Sequence, residues 1–235
     1  MLAVGDTGLC VELGDGISPQ VHQRVLALDA ALRAAAWPGV VETVPAYRSL
    51  LIHFDPLRIS PQALRARVAA LRRAPDLALA ARRRWTLPVC YQDEFAPDLA
   101  ELADRAGLAG AQAIAVHAAV DYRVYFLGFA PGFAYLGGLD PRLATPRRPQ
   151  PRPAVAPGSV AIGGTQTGVL PMVMPSGWHV VGRTPARLFD IRLAEPCLLR
   201  PGDVVRFAPV PRAEFAHLEA RAASGTWRPA AEDLP

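Results

Sequence analysis

Lysine and asparagine are absent from this 235-residue chain, so all 25 of its basic residues are arginine. Without lysine there is no Schiff-base chemistry and no Walker-type loop, whose lysine reaches the terminal phosphates. Without asparagine there is no N-glycosylation acceptor and no Asn-Gly turn. Cysteine is scarce: Cys10, Cys90 and Cys197 lie far apart in apolar stretches, with no metal-type spacing. Small buried thiols are expected there, and no metal. No apolar run is long enough to cross a bilayer, and the N-terminus reaches Asp6 too early for a signal peptide. These absences lead to the expectation of a cytoplasmic protein in a reducing compartment, without membrane contact.

What is present is an ordinary globular composition, 51% hydrophobic and 20% charged, with a net charge of 25 − 21 = +4. The basic clusters Arg72–Arg73, Arg82–Arg84 and Arg147–Arg148 are short and carry no interleaved aromatics. They read as solvated ends of elements, and no nucleic-acid partner is expected.

The first eighty residues follow a β-α-β-β-α order. "TGLCVEL" is a strand, and Ser18 with Pro19 opens a helix whose Val21, Val25, Leu28 and Leu32 recur at helical spacing. "VVETVPAY" and "SLLIHF" form a hairpin, and Ser60–Pro61 opens a second helix with Leu64, Val68 and Leu71 along one face. "RAPDLALAARRR" changes the composition and reads as a linker. After the strand "RWTLPVCY" and two short helices, the chain turns to short apolar runs punctuated by Gly, Pro, Thr and Ser. Among them are "YRVYFL", "GSVAIGG", "TGVLPMVM", "WHVVG", "ARLFDIRL" and "DVVRFAPV". Many short strands predict a β-barrel or sandwich, closed by a terminal helix. The expected domains are a small α+β unit over 1–81, a mainly β unit over 82–210 and a helix or tail over 211–235.

Two segments carry the chemistry. "FLGFAPGFAYLGGL", Phe126 to Leu139, packs four glycines and four aromatics around Pro131. "GGTQTGVLPMVMPSGWHVVGRTP", Gly163 to Pro185, adds Thr165, Gln166, Thr167, Trp178 and Arg183. Glycine lets backbone amides approach a ligand, while flanking aromatics clamp the loop by burial. Such a loop is a seat for an anion or oxyanion, or else a tight barrel corner that needs glycine for geometry alone. The run Gly158 to Gly163, with Thr165 beyond it, imitates a phosphate loop, but Gly164 stands where the lysine belongs. Among the five histidines only His117 leads straight into the first segment, which makes it a candidate proton carrier.

At these residues a resemblance is plain. "YRVYFLGFAPGFAYLGGLDPRLATPRR", "PAVAPGSVAIGGTQTGVLPMVMPSGWHVVGRTPARLFD", "VGDTGLCVELGD" and "VPAYRSLLIHFDP" resemble the PxpB/KipI family. The likeness runs from about Val4 to about Pro209. That family comprises the PxpB component of bacterial 5-oxoprolinase, also named allophanate hydrolase subunit 1, and the sporulation-kinase inhibitor KipI. The resemblance implies an N-terminal α+β domain followed by a cyclophilin-like β-barrel. It also implies a PxpC/KipA-type partner, a PxpA-type subunit, and ATP-dependent opening of 5-oxo-L-proline to glutamate. ATP, with magnesium, would then be bound largely by another component of the assembly.

On this resemblance His117, Gln166 and Arg183 are the expected catalytic set: a proton carrier, an oxyanion or lactam ligand, and an anion ligand. Tyr125, Gly128, Phe129, Pro131, Gly132, Phe133, Gly163, Gly164, Thr165, Thr167 and Trp178 are the expected substrate-binding set. Ala134 stands where the family usually has proline, and Thr165 where it usually has asparagine. Competing readings are an inhibitor of a sensor histidine kinase, a subunit acting on another small amide such as allophanate or urea, and, on fold analogy alone, a prolyl isomerase.

Overall fold

The computed structural model describes residues 1–72 and 82–234. The chain divides into two compact units, Met1–Ala81 and Arg82–Pro235. Among the described residues no helix is long and apolar enough to cross a membrane. Most of the expected linker lies outside the described residues, and its last three, Arg82–Arg84, open a strand.

In the first unit, β1 (Leu2–Val4), β2 (Gly8–Glu12), β3 (Val40–Pro45) and β4 (Ser49–Phe54) form an antiparallel sheet in the order β1-β2-β4-β3. Helices α1 (Pro19–Ala35) and α2 (Pro61–Leu71) begin as the sequence predicts. The Ser18 hydroxyl accepts from the Val21 amide at 3.1 Å, and the Ser60 hydroxyl from the Ala63 amide at 3.2 Å. Each serine satisfies one of the amides left unpaired at a helix start. Leu9, Val11, Val25, Leu28, Leu32, Leu50, Ile52, Leu64 and Val68 close a core between sheet and helices. Strand β1 is the addition to the expected order. Its three residues are exposed, so no burial pattern marked them.

The second unit is built on β5 (Arg82–Val89), β6 (Asp121–Leu127), β7 (Ala134–Gly137), β8 (Arg152–Val155), β9 (Ser159–Gly163), β10 (Gln166–Val169), β11 (Met174–Ser176), β12 (His179–Arg183), β13 (Val204–Pro209) and β14 (Ala231–Leu234). Eight of these strands make one sheet in the order β12-β9-β10-β7-β6-β13-β5-β14, and β8 and β11 pair separately. Strand β13 runs parallel to β5, and the other pairings are antiparallel. Edge strand β12 curls back onto the end of β5, where Cys90 and Arg183 exchange two backbone hydrogen bonds of 2.9 Å. Leu87, Tyr122, Val124, Leu136, Ile162, Val205 and Phe207 fill the concave face, and α3 (Leu99–Arg105) and α4 (Gly110–Ala118) contribute Leu102 and Ala113.

Residues 211–235, expected as a helix or tail, form α5 (Arg212–Ala223) and then β14, which pairs with β5. Two expected strands differ. "TGVLPMVM" is split, β10 ending at Val169 two residues before Pro171, whose ring nitrogen has no N–H for a ladder. "ARLFDIRL" is not a strand: Asp190 accepts from the Arg192 amide at 3.1 Å and turns the chain there.

Candidate functional site

The glycine-aromatic segment closes the β6–β7 hairpin. The Gly128 amide donates to Phe133 carbonyl at 3.1 Å, and the Phe133 amide donates to Ala130 carbonyl at 3.0 Å. Gly132, at φ +79°, is required there: an added Cβ would lie 2.8 Å from Phe189 Cβ and 3.0 Å from the Leu188 carbonyl. Phe129 takes φ +69° without being glycine, and its side chain is 76% exposed. A bulky residue in that region is strained, and such strain collects at functional loops. Pro131 is exposed beside it.

Below this loop lies a small separate core of Phe133, Val155, Ala161, Leu170, Met174, Trp178 and Val180. Phe133 packs edge-on against Tyr135 at 4.9 Å and Trp178 at 5.7 Å, and Tyr135 stacks on Phe126 at 4.3 Å. A cleft of about 130 Å³ opens over it, lined by Phe129, Phe133, Tyr135, Met174, Trp178 and Arg147 among others. Three of the expected substrate-binding residues, Phe129, Phe133 and Trp178, therefore share one wall. The cleft is below the ~300–1,000 Å³ of a self-sufficient ligand pocket, so as it stands it is an incomplete enclosure.

The expected catalytic trio is not brought together. His117 sits near the end of α4, 2% exposed, facing the main core. Its Nδ1 is 2.8 Å from the Tyr91 hydroxyl and its Nε2 is 3.0 Å from Thr167 Oγ1. The Thr167 hydroxyl donates to the Ala161 carbonyl at 3.2 Å, so it must accept from His117 Nε2–H, leaving Nδ1 to accept from Tyr91. The ring stacks on Phe207 at 4.8 Å. Burial pushes its pKa down to about 3, and burial likewise raises the Tyr91 hydroxyl, so both stay neutral. The structure thus places His117 in the core, away from the cleft, where its ring joins α4 to β10. Thr167, fully buried in the same network, is likewise no surface ligand.

Strand alternation puts Gln166 on the other face of β10 from Thr167. That is the face of Gly168, whose Cβ position lies 3.3 Å from Trp178 and 3.4 Å from Phe133. Gln166 is half-buried and does not line the cleft. The hairpin tip offers less than expected. The Gly164 amide donates to Thr145 carbonyl at 2.7 Å and the Thr145 amide returns 3.1 Å to Gly164, so the Gly164 N–H is not free for an oxyanion. Gly163 pairs in register with Gln166, and Thr165 is the exposed tip. Tyr125 is 6% exposed and its ring fills the space beside Gly137, away from the cleft. Arg183 belongs elsewhere too. It lies over the rings of Phe95 and Phe215 at 5.7 and 5.8 Å and pairs with Glu219 at 3.4 Å, tying α5 to the sheet.

The residues that secure the cleft went unrecognised in the sequence. Asp98, 2% exposed, accepts from Arg148, from both terminal nitrogens of Arg152 and from the Val180 amide, at 2.6–2.9 Å. Burial alone would raise its pKa. The Arg152 hydrogen bonds, the Val180 amide and the two guanidinium charges outweigh that and hold it below the usual carboxylate range. Asp98, Glu101 and His179 place ligand atoms within 4.8 Å of one another, yet the Asp98 lone pairs are spent on cations and an amide. The group is an ion-pair network that holds the segment from Thr145 to Val155 against the sheet. The only sequence signal was "PRRPQPRP", an arginine-rich stretch with no visible partner acid.

A larger cavity of about 370 Å³, lined by Arg187, Asp190, Arg192, Ser224 and Trp227 among others, contains none of the expected site residues. It lies against the carbonyl end of α5, where a bound anion is disfavoured, and Asp190 already holds Arg192 at 2.6 Å.

Comparison with known proteins gives the lineage. The sequence pattern of the carboxyltransferase domain, subdomain C and D, matches residues 1–199. The chain is 38% identical to the B component of 5-oxoprolinase from Bacillus subtilis (strain 168) over 223 residues, covering 90% of this chain and 93% of that protein. The solved protein TTHA0988 superposes with a TM-score of 0.78 at 40% identity, covering 87% of this chain, which spans only 40% of that longer one. Kluyveromyces lactis urea carboxylase superposes with a TM-score of 0.79 at 22% identity over 99% of this chain and 23% of that one, a likeness of fold. By the extent of that match and identity, the chain belongs to the PxpB/KipI family, the proteins built on carboxyltransferase subdomains C and D.

Proposed function

We propose that this chain is the PxpB component of an ATP-dependent 5-oxoprolinase. It would act with a PxpC-type and a PxpA-type subunit in the cytoplasm to open 5-oxo-L-proline to L-glutamate, and be inactive alone. The observation that carries this reading is the near end-to-end match with a 5-oxoprolinase component, 90% of one chain against 93% of the other. The two compact units would be the α+β domain and the cyclophilin-like barrel of that component.

A lactam is a resonance-stabilised amide, and ATP with magnesium would supply the activation, as a phosphate on the lactam oxygen. Addition of one water to the ring carbonyl carbon, with cleavage of the ring C–N bond and a proton to the nitrogen, would give the free amine and an acyl phosphate, from which a second water would release inorganic phosphate and the carboxylate of glutamate. ATP is assigned to a partner: this chain has no lysine for a phosphate loop, and the Gly164 amide is occupied. The chain's own part is the apolar wall of Phe133, Tyr135 and Trp178, which excludes water from one side of the substrate. Gly128, Pro131 and Gly132 shape the loop that carries Phe129 over that wall. The incomplete cleft fits a site finished by the PxpC-type partner.

The test is 5-oxoproline-dependent ADP release by the chain alone and mixed with its candidate partners. Turnover only in the full mixture is expected. A complex with the PxpC-type partner that forms but never consumes 5-oxoproline, while opening another small amide, would overturn the substrate.

A further inference from the structure

The arginines around the Thr145–Val155 segment are not equivalent. Arg148 and Arg152 are consumed by Asp98, and Arg148 also reaches Glu101 at 3.6 Å. Arg147 has no hydrogen bond, ion pair or aromatic face among the described residues, although it is exposed on the same strap. It lines the aromatic cleft and is the one charged residue among the described residues that does. Its Cβ lies beside Gly177, between Ser176 and Trp178 in the chain, 3.9 Å from where a Cβ on that glycine would stand. Ser176 Oγ accepts from the Trp178 amide at 3.1 Å, leaving the hydroxyl proton available to a ligand.

A cleft with an aromatic wall and a single uncompensated cation selects for shape and charge together. The wall of Phe133, Tyr135 and Trp178 receives a flat apolar ring edge, and a guanidinium at the rim donates to a carboxylate in a two-pronged hydrogen bond. With no acidic residue in the described lining, Arg147 has no competitor inside the site. The exposed, strained Phe129 adds a further apolar edge to the lining.

We propose that this cleft is a recognition site for a small ring carboxylate, with Arg147 as the carboxylate-binding residue. That the ring is 5-oxoproline rests on the function proposed above; the site itself does not.

Calorimetric titration of the full chain with cyclopentanecarboxylate, cyclopentanecarboxamide and 5-oxo-L-proline separates the two. Cyclopentanecarboxylate is expected to bind, with Arg147→Met weakening it about tenfold or more and Arg147→Lys recovering part of the loss, as expected for a charge-assisted hydrogen bond. Binding of the neutral carboxamide should be weaker and unchanged by either substitution. In the full assembly Arg147→Met should raise KM for 5-oxoproline by a similar factor and leave kcat within a few-fold. Equal carboxylate binding by the native and Arg147→Met chains, or none by the native chain up to its solubility limit, overturns the site. Arg147-dependent binding of cyclopentanecarboxylate without any of 5-oxoproline, by the chain and by its complex with the PxpC-type partner, keeps the site and removes 5-oxoproline as its ligand. Turnover of 5-oxoproline with an unchanged KM in Arg147→Met keeps the 5-oxoprolinase reading and removes the site.

Discussion

Gly163 and Trp178 occupy adjoining space: a Cβ placed on Gly163 would lie 2.5 Å from Trp178 Cδ1 and 2.6 Å from Cγ and Nε1. The indole is 7% exposed and held by Phe133, so it has little room to yield. Gly163→Ala should therefore cost about 1–3 kcal/mol by overpacking and displace the cleft wall. Urea denaturation followed by tryptophan emission checks this, with a lower midpoint and a shifted native spectrum expected. An unchanged midpoint would show that the ring moves freely.

The His117 network predicts a specific pH response. Its folded pKa is near 3, below the unfolded value of about 6.5, so below about pH 6.5 the unfolded chain binds a proton that the folded chain does not. Stability is therefore lost as pH falls from about 6.5 towards 3, at up to about 1.4 kcal/mol per unit from this residue. His117→Gln should be destabilised at neutral pH and show a flatter profile over that window. Parallel profiles for the two proteins would refute the assignment.

The same residue separates a packing role from a catalytic one. His117→Ala leaves Tyr91 and Thr167 without their ring partners and opens a cavity, a loss of about 2–5 kcal/mol. In an assembly still folded at low temperature, the pH dependence of kcat between about 5 and 8, the range in which an ordinary histidine titrates, should match the native enzyme. Loss of one limb of the profile would return His117 to proton transfer.

Asp98 stands between two arginines and a backbone amide, so removing its charge strands two half-buried cations. Asp98→Asn should destabilise by about 3–5 kcal/mol, as for a broken buried pair. Because its pKa is depressed, this contribution is present above about pH 4 and fades on acidification. Limited trypsin digestion should cut faster after Arg147 in the variant, since the strap loses its anchor. Equal cleavage rates would mean that the β8–β11 pairing alone holds it.

Phe129 at φ +69° carries a strain of about 1–2 kcal/mol that glycine would not, offset by the roughly 0.5–1 kcal/mol entropic cost of glycine. Phe129→Gly should leave the thermal midpoint nearly unchanged while lowering turnover of the assembled enzyme at least tenfold, a barrier higher by about 1.4 kcal/mol. Native turnover in that variant would make the exposed ring a surface accident.

Much of the fold was legible because it is written locally. Ser18–Pro19 and Ser60–Pro61 announce helix starts by cap chemistry, and the alternation in "SLLIHF" announces a half-buried strand. The splitting of "TGVLPMVM" and the turn at Asp190 were harder, since each depends on which residue loses its ladder partner. The candidate site was legible only in part. The aromatics and glycines marked Phe129, Phe133 and Trp178, since such a composition is costly without a use.

The sequence by itself determined the helix caps, the strand periodicity, the glycine-aromatic segment and the family motifs, all of which depend on near neighbours. Only the tertiary structure decided what the long-range groups do. His117 turned inward because Tyr91 and Thr167, 26 and 50 residues away, meet its two nitrogens. Arg183 was taken by Phe95, Phe215 and Glu219, and Asp98 claimed Arg148 and Arg152 across 50 and 54 residues. Arg147, next to Arg148 in the chain, was left unpaired at the cleft. Which arginine is spent and which is free depends on where the acids arrive in space, and one-dimensional spacing does not encode that.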